Sequence, residues 1–171
     1  AHKMGIKDLW EWSCIELNLP IELKESLKWI YRLHMPKISM PQEVAELIFK
    51  LREKEANLAI ITDGRSVSQR LKIKAIGLEN INFFISEEFQ SSKPNLKCFL
   101  NIEKLWENKK YFYIGDNLKK DFIAPNQLHW TSIGANWIHP RIHNYDHRDF
   151  PVENKPKFWL NKPHELLDSL I

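Results

Sequence analysis

The chain has 171 residues, 43% of them hydrophobic and 27% charged, with a formal net charge of +3 at pH 7. That balance suits one globular domain of ordinary size with room for a small appendage, and it argues against disorder. The charge excess is small and acidic residues are interspersed, with no basic stripe, so nucleic acid is not an expected partner.

Residues 1–40 read as helical and aromatic. Leu23, Leu27, Ile30 and Tyr31 recur at helical spacing between Pro20 and Pro36. Trp10, Trp12 and Trp29 fall in the same stretch; they suit either a substrate pocket or the packing of a small helical layer. A helix follows. Ser39 and Gln42 have capping-box spacing, Pro41 fits a first turn, and Val44, Leu47, Ile48 and Leu51 make one apolar stripe. Leu58-Ala59-Ile60-Ile61 is short and continuously apolar, as a strand buried on both faces should be. A helix over 66–76 is closed by Gly77. Then come a strand at 83–85, a helix at 95–106, a strand at 111–114, a short helix at 118–123, a strand at 130–133 and a last helix at 164–170. Helices alternating with apolar strands predict right-handed crossovers, a parallel sheet and a site beyond the carboxyl ends of the strands.

Three motifs fall on that rim. In Ile60-Ile61-Thr62-Asp63-Gly64, the Thr62 hydroxyl and the amides of Asp63 and Gly64 can donate to an oxyanion. The plainer reading is a strand-to-helix turn with Asp63 or Ser66 as a cap. In Ser91-Ser92-Lys93-Pro94-Asn95, Lys93 can place an ammonium near a phosphate, or it is simply a solvated loop lysine. In Gly115-Asp116-Asn117-Leu118-Lys119-Lys120-Asp121, two carboxylates at a strand end offer hard oxygens suited to magnesium, or form an ordinary aspartate turn.

Taken in order, these segments resemble the second, third and fourth motifs of the haloacid dehalogenase (HAD) superfamily, from about Pro41 onward. The Thr-Asp-Gly-Arg-Ser turn and the Gly-Asp-Asn-Leu-Lys-Lys-Asp-Phe loop are closest to a bacterial branch found among surface-polysaccharide genes. The resemblance implies an α/β, Rossmann-like three-layer core over residues 41–171, with 1–40 as a small helical cap. It implies hydrolysis of a small phosphate monoester, a sugar phosphate or nucleotide, through an aspartyl-phosphate. Thr62 would bond a phosphoryl oxygen, Lys93 would offset negative charge, Asp116 would ligate magnesium, and Asp121 would support the metal through water or through Lys93.

One departure stands out. The family's Asp-x-Asp motif, which holds nucleophile and general acid, occurs nowhere in the chain. A strand and loop of about 20–30 residues carrying it are therefore expected outside these 171 residues. Without that strand, segments 58–61 and 111–114 would each lack a neighbour, at a cost of several kcal/mol. The chain alone is expected to bind phosphate weakly and to hydrolyse nothing. The competing reading is a non-catalytic phosphate- or ligand-binding module; a dehalogenase is a third, for which Asp116 would be superfluous.

Other residues are weighed and set aside. His139, His143 and His147 recur every four residues, but Pro140 points to a loop rather than a zinc-binding helix. Arg65 could touch substrate, while Arg70 and His34 read as ordinary helix residues. Cys14 and Cys98 read as reduced thiols. No run could cross a bilayer, and Ala1-His2-Lys3-Met4-Gly5 lacks the apolar core of a signal peptide. A cytoplasmic protein without a membrane partner is the expectation; oligomeric state is left open.

Overall fold

A computed structural model describes residues 8–138 and 146–169. His139 and His143 lie outside them; His147 opens a single 3-10 turn, His147–Asp149.

Two helices come first, α1 (Leu9–Glu16) and α2 (Lys24–Leu33). Asp8 caps α1 by accepting from the amides of Trp10 and Glu11, and its other oxygen meets Lys24 Nζ at 2.7 Å. This contact, with the two amides, lowers the Asp8 carboxyl to about 2. Trp10 packs on Tyr31 at 5.2 Å between ring centroids, but Trp29, Ile30, Tyr31 and Leu33 are all exposed. These helices are thus not a layer sealed onto the core. Ser68 Oγ donates to the Arg32 carbonyl and ties α2 to the helix that follows the first strand.

Helix α3 (Gln42–Glu53) buries Leu47 and Leu51. Its N-cap is Pro41, whose carbonyl accepts from Val44 and Ala45; the capping box expected from Ser39 and Gln42 does not form. Strand β1 (Ala59–Thr62) leads into α4 (Ser66–Ala75), which ends at Gly77 with φ +72°, a conformation glycine adopts without strain. Strand β2 (Asn82–Ile85) runs into one helical turn, α5 (Ser86–Phe89), and then into α6 (Lys97–Leu105), which buries Cys98, Phe99 and Ile102. Both cysteines are buried and unpaired. Strand β3 (Phe112–Gly115) is followed by tight turns and then α7 (Ile123–Gln127). The helix expected over 118–123 is replaced because Asn117 Oδ1 accepts from the Lys119 amide and the Asn117 carbonyl accepts from Lys120 and Asp121. Strands β4 (Thr131–Ala135) and β5 (Phe158–Leu160) and helix α8 (Glu165–Ser169) complete the described chain.

Every pairing is parallel, and the helices enclose the strands, as the sequence predicts. The strands fall into two groups, β1-β2 and β3-β4-β5. Among the described residues, β1 and β3 therefore have a hydrogen-bonded neighbour on one side only. Between their unpaired edges lies a cavity of about 570 Å³. Segments 58–61 and 111–114 form its walls, with Leu51, Ile102, Trp106, Trp130 and Leu166 around them. It lies between the two segments that the sequence expects to flank a further strand.

Beside the cavity, Phe99, Ile102, Tyr113, Leu118, Phe122 and Trp130 form the largest buried cluster. Tyr111 stacks on Trp130 at 4.7 Å, and Phe99 meets Trp130 edge-on at 5.4 Å. Gly134 lies under the Trp159 ring, so close that a Cβ there would stand 2.2 Å from Trp159 Cε3. Gly134→Ala should therefore overpack the β4–β5 pair and destabilise the protein by about 1–3 kcal/mol, read from the urea midpoint.

Candidate active site

The carboxyl ends of β1 and β3 meet the loop before α6, and the polar residues gather there. Lys93 sits in that loop with only 11% of its side chain exposed. Its ammonium donates to Asp121 Oδ1 at 2.6 Å and to the Tyr113 hydroxyl at 3.0 Å. Asp121 is more buried still, at 6% side-chain exposure. Its Oδ2 accepts from the amides of Asp116 (3.2 Å) and Asn117 (3.0 Å). One carboxylate thus shapes the loop after β3 and anchors Lys93. Gly115 permits this, since a Cβ there would stand 2.7 Å from Asp121 Oδ2. Burial, then the nearby carboxylates of Asp121, Asp63 and Asp116, push the Tyr113 phenol well above its ordinary range.

The Thr62 turn joins this cluster through Asp63. Asp63 Oδ1 accepts from the Lys93 amide at 3.1 Å, and Oδ2 meets Lys120 Nζ at 2.5 Å. The three predicted motifs therefore converge on one rim. Thr62 itself donates to Gln69 Oε1 at 3.1 Å.

One expectation needs correcting. The Gly64 amide, expected to face phosphate, donates to Ser86 Oγ at 2.9 Å. The cause is α5, a single turn the sequence did not reveal. Ser86, Glu87 and Glu88 hold the start of α4: Glu87 accepts from the Ser66 amide and from Arg65, and Glu88 from Arg70. Arg65 and Arg70 are thus in salt bridges with α5. Asp121, expected to support the metal through water or through Lys93, has both oxygens engaged by N–H donors, and the contact present is the one with Lys93. Gln69, Tyr113, Lys120, Ser86 and Glu87 were missed. Only Lys120, inside the third motif, carried any signal in sequence.

Asp116 is different. No described residue donates to its carboxylate, although its own amide is held by Asp121. A half-buried carboxylate with no donor on it is a group that can meet a hard cation which keeps most of its waters. Among the described residues no three acidic, histidine or cysteine side chains cluster as a complete metal site.

The family model for haloacid dehalogenase-like hydrolases matches residues 8–135. The chain belongs to this family. None of the curated proteins compared with it matches. The HAD-hydrolase YfnB of Bacillus subtilis, crystallised with magnesium, is similar with a TM-score of 0.64 at 19% identity, over 88% of this chain and 63% of that one. A HAD phosphatase from Thermococcus onnurineus gives 0.62 at 22%, over 98% of this chain and 75% of its own. A 2-haloacid dehalogenase from Pseudomonas syringae pv. Tomato gives 0.64 at 18%, over 88% and 61%. At such identities the likeness is one of fold, and this HAD chain spans less than two thirds of YfnB. No described helix is long and apolar enough to cross a membrane.

Two outcomes follow. Asp121→Ala would leave the Lys93 ammonium buried without its carboxylate and should cost roughly 3–5 kcal/mol in urea unfolding. Tyr113→Phe should leave the ultraviolet tyrosinate titration unchanged through the range where ordinary tyrosines ionise, because burial and the nearby carboxylates keep Tyr113 protonated there.

Proposed function

We propose that this HAD chain forms the phosphate- and metal-binding part of a magnesium-dependent phosphohydrolase acting on a small phosphate monoester, a sugar phosphate or nucleotide. The observation that carries this reading is the junction of three loops at Asp63, Lys93 and Asp121, with Asp116 left unpartnered among them. A dehalogenase has no need of a free metal-binding carboxylate at that place.

In this reading Thr62 turns its hydroxyl from Gln69 to a phosphoryl oxygen, and the Asp63 amide is a second donor. Lys93, fixed by Asp121, sets its positive charge against the phosphate. Such preorganised donors in a site shielded from water carry most of the catalysis in phosphoryl transfer. Asp116 would hold the magnesium ion, which when bound withdraws charge from phosphoryl oxygens. The attacking aspartate belongs to an Asp-x-Asp strand seated between β1 and β3. A strand there, running parallel to both, would bring its carboxyl end to the same rim.

The second reading, a non-catalytic phosphate-binding module, is favoured by the lack of any Asp-x-Asp in the 171 residues. Phosphate release from a panel of sugar phosphates and nucleotides separates the two. It is to be measured with and without magnesium, on a form carrying an Asp-x-Asp strand before Ala1. Magnesium-dependent release is expected, falling roughly 10²-fold or more in Asp116→Asn and about 10²-fold in Thr62→Val. Phosphate binding without release in that form would support the module. Full activity in Asp116→Asn would refute the metal assignment.

A further inference from the structure

Asp63 stands where a backbone amide was expected to matter, yet its side chain bonds to two other loops. Its carboxylate is largely buried, with 18% of the side chain exposed, and Lys120 opposite is 35% exposed. One oxygen holds the Lys93 amide and the other the Lys120 ammonium. Lys93 is thereby fixed twice, at its backbone by Asp63 and at its ammonium by Asp121. Lys120 adjoins Asp121 in sequence, so the Asp63–Lys120 pair also pins the β3 loop to the β1 turn.

The charges sharpen the question. Three carboxylates, of Asp63, Asp116 and Asp121, share this rim with two ammonium groups, of Lys93 and Lys120. A third carboxylate beside a site for an anion is unfavourable by Coulomb's law unless it does something that outweighs its charge. We propose that Asp63 and Lys120 form a clasp that sets the phosphate site: Asp63 is a positioning residue that holds the Lys93 backbone, and Lys120 both secures Asp63 and cancels its charge. The proposal rests on the phosphate reading above. It assigns Asp63 a side-chain role in place of a purely backbone one, and it gives Lys120 a task.

Charge and positioning predict opposite results, which makes the test decisive. Removing a negative charge next to an anion site should tighten binding if Asp63 were a bystander. Losing the clasp should weaken it. The measurement is binding of inorganic phosphate to the 171-residue chain, by 31P NMR titration. Asp63→Ala is expected to bind about tenfold more weakly, in the range for residues of one network. Asp63→Asn should fall between Asp63→Ala and the parent, because its side-chain oxygen can still accept from the Lys93 amide; it also serves if Asp63→Ala fails to fold. Lys120→Met should weaken binding, Lys120→Arg should restore it, and Asp63→Ala with Lys120→Met should be no worse than Asp63→Ala alone.

A folded Asp63 variant that binds phosphate as tightly as the parent, or more tightly, would overturn the clasp while leaving the phosphate site standing. Additive losses in the double variant would overturn the clasp as a unit. A parent chain that binds no phosphate, or a Lys93→Met variant that binds it undiminished, would overturn the underlying reading and the clasp with it.

Discussion

The site is organised by a buried ion pair. A carboxylate and an ammonium taken out of water need excellent geometry and further hydrogen bonds before their attraction offsets desolvation. Asp121 meets this condition with the ammonium of Lys93 on one oxygen and two amides on the other. Lys93 adds the hydroxyl of Tyr113, and the buried ring of Tyr113 in turn belongs to the core around Phe99 and Trp130. The pair thus joins the rim to the packing beneath it. Because Asp121 takes up the amides of the loop, Asp116 needs no structural task, and its carboxylate stays unpartnered among the described residues.

The same rim explains why the divided sheet matters. β1 and β3 end at loops that Asp63 bridges, so their carboxyl ends are held together although no described strand joins them lower down. The cavity between them is walled by backbone edges and floored by apolar side chains. Among the described residues these two backbone edges have no ladder partner on the cavity side. The rim and the cavity beneath it are therefore set by the same two strands, β1 and β3.

Much of this was readable from residue order. The run of apolar strands, the glycine at the end of α4 and the three rim motifs all follow from local chemistry: period, turn residues and charge. Where the reading slipped, short-range hydrogen bonds were the reason. Asn95 Oδ1 takes the Lys97 amide and delays α6, and Asn117 does the same to the turn after β3. Pro41 displaced the expected cap of α3. Strand β5, three residues between prolines and lysines, is too short to show a pattern, and it forms because Gly134 lets Trp159 lie flat on β4.

The sequence by itself determined which residue types stand at the ends of which strands, because strand, turn and helix starts are written in neighbouring residues. Thr62, Lys93, Asp116 and Asp121 were legible for that reason. Only the tertiary structure decided what each one touches. That Asp121 grips Lys93, that Gly64 is bound by Ser86, and that Asp63 reaches Lys120 across 57 positions are contacts between distant segments. Such contacts exist only after the core has fixed the loops, and no local pattern encodes them.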